Sequence, residues 1–317
     1  MRRTYELVHH TRYTYDQPVT TSYGRAVLLP RDLPEQTRHT ASVVVAPEPA
    51  DTAEQLDYFG NTTSYFAITR PHAELEVTAR SRVTVDRPEL DISALPRATW
   101  SDVARMARPG GTVEADRGEG VDSTDGIGLV QLREALLPSR HVAPSAEVRE
   151  WAAPSFVPGR PVVEVLVDLA HRIRTEMAYR PGSTTVSTTQ VELLDLRAGV
   201  CQDFAHLMIA ALRTYGVPAR YASGYIETQP PPGRPKLRGA DASHAWASAW
   251  VPGAGWLEVD PTNDCFVDSR YVVLGWGRDY GDVPPLRGVI FTDGSQSRLE
   301  VSVDLHPVDS PDAEPGV

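Results

Sequence analysis

The 317-residue sequence is poor in the residues that staple a fold together: it has two cysteines, Cys201 and Cys265, and no CxxC or HExxH pattern. No disulfide framework can be drawn from two thiols, zinc-ligand spacing is missing, and any thiol chemistry must rest on one of those two residues. Lysine is nearly absent as well, Lys236 being the sole one. Basic residues number 31 against 42 acidic ones, a formal net charge of -11. A field of that sign repels phosphate backbones and anionic lipid, so neither nucleic acid nor a membrane is expected as a partner. No apolar run reaches the ~18 residues of a spanning helix. The stretch after Arg2-Arg3 lacks the apolar core of roughly 7–15 residues that a secretory signal needs, which makes the cytoplasm the expected location.

What is present is ordinary for a folded, water-soluble chain: 41% hydrophobic and 23% charged residues exclude wholesale disorder and fibrous repeats. The length allows one large domain or two ordinary ones. From Tyr5 to about Val85 the segments TYELVHHTRYTY, TTSYGRAVLL, HTASVVVA, NTTSYFAIT and AELEVTARSRVTV are rich in Val, Thr and Tyr, and turn signals such as PRDLPEQ, APEPAD and FGN divide them. Five or six strands with one wet face are expected, an all-β module over residues 1–90. A glycine-rich, acidic stretch follows, so 91–125 reads as a linker or long loop. Residues 126–303 read as an α+β domain with its helices first. One helix is expected within Arg160 to Tyr179. A second runs from about Val200 to Tyr215, with apolar residues at helical spacing until Gly216 and Pro218 stop it. Strands follow at ARYASGYIE, HAWASAWV, GWLEVD, RYVVLGW, RGVIFTD and RLEVSVDLH, and the loop Thr228 to Ala242 is long enough to be a flap. Residues 304–317 are expected to be a disordered tail.

Cys201 opens the second helix, where unpaired N–H groups and the helix dipole favour the thiolate and can hold an oxyanion. In ASHAWASAW, alternation puts His244, Trp246, Ser248 and Trp250 on one strand face. VPGAG reads as a turn, and Trp256, Glu258 and Asp260 share one face of the next strand. With Pro252 as pivot, His244 and Asp260 stand directly opposite; with Gly253 as pivot they are diagonal neighbours, still within reach. Glu258 is the rival carboxylate, while Asp241, Asp264 and Asp268 read as turn residues. At 100° per residue, Asp203 and His206 point away from Cys201, so Asp203 suits an acidic first turn and His206 a structural role. Cys265 reads as packing or an incidental thiol. His9 and His10, adjacent on a strand, face opposite sides and make no chelating pair.

The blocks GVCQDFAHLMIAALRTYGVPARYASGY, DASHAW, GWLEVDPTND and GRDYGDVPPLRG resemble the bacterial transglutaminase-like family of papain-type thiol enzymes, over about residues 1 to 303. That resemblance implies a papain-like α+β core behind an all-β N-terminal domain, and a catalytic triad carried here by Cys201, His244 and Asp260. It implies a thiol enzyme that cleaves peptide or isopeptide amides through a thioester, with amine transfer as the alternative and a silent binding module as the third reading. The substrate would be a peptide or protein. No cofactor or metal is expected, and no calcium loop is found. The Cys201 N–H is the expected oxyanion donor, with a second near Tyr179.

Overall fold

A computed structural model of the chain describes residues 2–108, 125–228 and 243–308. The expected linker 91–125 and flap 228–242 therefore fall partly outside the described residues, as do the last nine residues of the tail and Asp241.

Five strands form the N-terminal region: β1 (Arg2–Ala26), β2 (Gln36–Ala46), β3 (Asp51–Leu56), β4 (Thr62–Ile68) and β5 (His72–Asp86), in the order β2-β5-β1-β4-β3. β1 joins the two strands expected before and after Pro18 into one. The join shows as a break in the β1–β5 register between Thr14 and Val19, where Pro18 has no N–H to give the ladder. β3 has no apolar alternation and is exposed along its length, which is why its sequence signals no strand.

Helix α1 (Trp100–Ala107) occupies part of the expected linker, started by a reciprocal capping box between Thr99 and Asp102. Then come α2 (Asp125–Glu134), α3 (Ala146–Ala152), α4 (Val162–Glu176), the short strand β6 (Ala178–Tyr179), α5 (Gln190–Leu196), the short strand β7 (Ala198–Gly199) and α6 (Cys201–Thr214). A second sheet holds β8 (Ala219–Ile226), β9 (Ser243–Val251), β10 (Gly255–Asp260), β11 (Cys265–Phe266) and β12 (Tyr271–Gly277), ordered β11-β10-β9-β8-β12.

Helix α6 is buried from Asp203 to Arg213, so its apolar character extends all round, as a central core helix requires. It rests on the small face of β9, where Ala245, Ala247 and Ala249 let the helix approach closely, and Phe204, Leu207, Met208 and Leu212 fill the space with Leu166 and Ile173 of α4. The opposite face of the sheet carries the bulky members of the same alternation, among them the fully buried Trp246.

The last two strands, β13 (Leu286–Thr292) and β14 (Ser297–Val308), depart from the expected plan. Both pair with β1 and so complete the N-terminal sheet, instead of extending the second one. β14 runs to Val308, so residues 304–308 are strand and not tail. Val303 and Leu305 pack with Tyr5, Leu7, Val83 and Val85 against Tyr225, Val272 and Leu274, which joins the two sheets through one apolar cluster. Two side-chain amides reinforce the junction. Gln36 accepts from Val273 N–H and donates to its C=O, both at 2.8 Å, and Asn61 does the same for Trp276 at 3.0 and 2.9 Å. β12 is an edge strand, and these amides satisfy backbone groups that an open edge leaves unpaired.

If β14 is part of the core, Leu305→Ala should cost about 2–5 kcal/mol. Urea unfolding checks this, and a midpoint equal to that of the parent would show that the strand does not pack.

Candidate active site

Three sequence segments converge. Cys201 begins α6 after Val200, whose extended backbone ends the β7 strand. Asp203 caps this start: its Oδ2 accepts from Val200 N–H at 2.8 Å and from the Thr184 hydroxyl at 2.7 Å. A Cβ on Gly199 would lie 2.7 Å from Leu193 Cδ1 and 2.9 Å from Asp203 Oδ2, so a side chain there would have to displace Leu193 or the capping carboxylate. Burial raises the Asp203 pKa, against the hydrogen bonds from Thr184 and Val200.

β9 and β10 bring in the other two. Their register pairs Gly255 with Val251 and Glu258 with Ser248, which places the pivot at Gly253 and makes His244 and Asp260 diagonal neighbours. Gly253 has a φ of 78°, the left-handed value the turn needs. His244 Nε2 lies 2.6 Å from Asp260 Oδ2, and both residues are buried. Cys201 also acts on the ring, raising its pKa alongside Asp260. Burial disfavours the imidazolium, but the hydrogen bonds and charges of Asp260 and Cys201 outweigh it and raise the His244 pKa to about 10. Asp260 moves the opposite way, its pKa lowered by His244, Asn263 and Tyr271 despite its burial.

Asp260 is fully buried and saturated with donors. Oδ1 accepts from the backbone N–H of Thr262 at 2.8 Å and of Asn263 at 3.3 Å, while Oδ2 accepts from His244, from Asn263 Nδ2 at 2.6 Å and from the Tyr271 hydroxyl at 2.8 Å. Sequence spacing does not single out Asn263 or Tyr271. The Asp-Pro-Thr-Asn run signals a turn closed by the Asp260 side chain on downstream backbone N–H groups, and that is the one signal available.

The rival carboxylate lies elsewhere: Glu258 pairs with Arg87 at 3.2 Å. Asp264 sits in a left-handed turn with His171 Nδ1 at 2.8 Å, and Asp268 pairs with Arg270. His206 is buried, and its Nε2 accepts from Tyr280 N–H at 3.1 Å. Burial lowers its pKa to about 3, so it is a neutral acceptor within the core. His9 is buried against Tyr225, while its neighbour His10 faces Glu76 on the other side of β1. Tyr179 pairs in register with Gly199, and burial followed by the charge of Cys201 raises its phenol pKa. Among the described residues, no cluster of three His, Cys, Asp or Glu side chains could hold a metal ion, and no helix is long and apolar enough to cross a membrane.

A thiol at a helix start, an imidazole and a buried carboxylate on adjacent strands are the parts of a papain-type thiol site. Residues 149–261, which include all three, match the transglutaminase-like superfamily, and residues 5–84 match the bacterial transglutaminase-like N-terminal region. The chain belongs to this superfamily. An uncharacterized protein of Mycobacterium tuberculosis is 45% identical over 309 residues, covering 96% of this chain and 92% of that protein. A solved structure of a candidate cysteine protease from Cytophaga hutchinsonii shares the fold, with a TM-score of 0.69 at 19% identity over 98% of this chain and 92% of that one. A shorter match, 38% identical over 84 residues, covers 26% of this chain and 13% of the protein-glutamine gamma-glutamyltransferase of Pseudomonas aeruginosa.

The His244–Asp260 contact has a pH signature. The folded-state pKa of His244 lies above the ordinary 6.5, so its charge stabilises the fold fully below about pH 6.5 and loses that contribution as the pH rises through about 10. Asp260→Asn removes the partner charge. Between pH 7 and 10 the variant should lose less stability than the parent, and parallel urea midpoints over that range would refute the assignment.

Proposed function

We propose that the chain is a thiol-dependent hydrolase that cleaves peptide or isopeptide amides through a thioester, with Cys201, His244 and Asp260 as its triad. The observation that carries this reading is the buried 2.6 Å contact between His244 Nε2 and Asp260, on a ring whose pKa Cys201 helps to raise. A pKa raised to about 10 keeps a proton on His244 at neutral pH, ready for the departing nitrogen. The thiolate attacks the carbonyl carbon and forms a C–S bond. His244 gives its proton to the departing nitrogen as the C–N bond breaks. Water then adds to the thioester while His244 takes its proton, and the C–S bond breaks to return the thiolate–imidazolium pair. The oxyanion would be held by the Cys201 N–H and by a second donor, which we assign to Tyr179 because its strand pairs at Gly199, two residues before the sulfur. We place the reaction in the cytoplasm, a reading that the two unpaired thiols support.

Transfer to an amine is the second reading, favoured by the local match to a protein-glutamine gamma-glutamyltransferase. The two readings share every step up to the thioester and differ in the acceptor.

Iodoacetamide at pH 6–7 should alkylate Cys201 far faster than Cys265, whose half-buried thiol has its pKa raised by burial. Cys201→Ser should abolish amide turnover, because a serine hydroxyl is far less acidic. Free acid released in amine-containing buffer supports hydrolysis, and a stable amide adduct supports transfer. Equal labelling of both cysteines with no turnover of any peptide, ester or amine pair would instead leave a silent binding module.

A further inference from the structure

We propose that Tyr271 and Asn263 are positioning residues: together they clamp Oδ2 of Asp260 toward His244 and keep that carboxylate ionised while the site works. The inference rests on the triad reading above and adds two residues that act through Asp260 without touching substrate.

The geometry determines who donates. An ionised carboxylate only accepts, so the single hydrogen of the Tyr271 phenol points at Asp260 Oδ2 across 2.8 Å, and the Asn263 amide presents its NH₂ group to the same oxygen at 2.6 Å. Cys265 Sγ lies 3.4 Å from Tyr271 Oη; with the phenol hydrogen committed, the thiol is the donor in that contact. A directed chain results, from Cys265 through Tyr271 to Asp260, which accepts from His244 on its other side. Tyr271 is fully buried, and its ring meets the fully buried Trp246 edge-on at 5.4 Å, so the phenol cannot swing away. The two backbone N–H groups on Oδ1 stop the carboxylate from rotating, and the two side-chain donors on Oδ2 fix which oxygen faces the imidazole. Around this carboxylate the titratable groups are His244 on β9, Tyr271 on β12 and Cys265 on β11, with Arg270 and Asp268 beyond Cys265.

Each donor favours the ionised form of Asp260, and removing one lets the carboxylate take a proton at a higher pH. A neutral Asp260 no longer supports the imidazolium, so the thiolate–imidazolium pair fails earlier as the pH falls. The test is the pH dependence of Cys201 alkylation by iodoacetamide, read by mass spectrometry on the full chain, alongside kcat and KM for amide turnover. Tyr271→Phe and Asn263→Ala should each move the acid limb up by about one pH unit, a tenfold change in the ionisation constant. Each should lower kcat while leaving KM within about twofold, since neither residue binds substrate. A purely structural role would lower the melting temperature and leave the limb in place. Tyr271 is buried and its variant can misfold; Asn263 is exposed, so Asn263→Ala decides the matter alone in that event. If the parent shows the limb and neither folded variant moves it, the clamp is wrong and the triad stands. If the parent shows no preferential alkylation of Cys201 and no turnover, the triad reading falls and takes the clamp with it.

Discussion

A fully buried carboxylate is the constraint on which the rest of the site depends. Removing Asp260 from water is costly for a charged group unless hydrogen bonds replace its hydration, and five donors from four residues do so. The supply of those donors dictates local structure: the turn after β10 must offer the N–H groups of Thr262 and Asn263, and β12 must return close enough to deliver Tyr271. His244 then gains a partner whose charge is fixed in place, and its own charge becomes stable inside the protein. Cys201 is the last member to be positioned, by a helix whose start is held by Asp203 and by the absence of a side chain on Gly199.

β12 is also where the N-terminal sheet acts on the site. The strand that carries Tyr271 is an edge, and an unsupported edge frays. Gln36 and Asn61 pair with its backbone at Val273 and Trp276, and Tyr5, Leu7, Val303 and Leu305 pack under Val272 and Leu274. The β region therefore bears on the candidate site without contributing Cys201, His244 or Asp260. Its contacts hold the strand whose first residue donates to Asp260.

Much of this arrangement was legible in the sequence, and the parts that were not share a cause. Alternation in ASHAWASAW and GWLEVD, with a glycine turn between them, was enough to put His244 and Asp260 on neighbouring strands, because a hairpin is local and its register has few choices. Helix α6 announced itself through apolar spacing and its Gly-Pro stop. Choosing Gly253 over Pro252 as pivot needed the backbone, since a one-residue difference leaves the alternation equally well satisfied. β13 and β14 read correctly as strands, but nothing in RGVIFTD or RLEVSVDLH says which sheet receives them; that depends on β1, more than 250 residues earlier, each half of which β5 or β4 leaves open on one side. Tyr271 escaped for the same reason. Its role arises from a contact between β12 and the end of β10, and a tyrosine opening an apolar strand looks the same whether it caps a carboxylate or fills a core.

The two cysteines show how one carboxylate can treat two thiols differently. Both communicate with Asp260, Cys201 through His244 and Cys265 through Tyr271. An imidazole can hold an extra proton and become a cation beside the carboxylate, so it can take charge from a thiol. A phenol that already donates its only hydrogen to the carboxylate cannot, and burial then keeps the Cys265 thiol protonated. In the proposed triad, the relay residue distinguishes the two sulfurs. Cys201 also stands at the start of α6, whereas Cys265 lies on the short strand β11, so the two thiols differ in backbone setting as well as in relay.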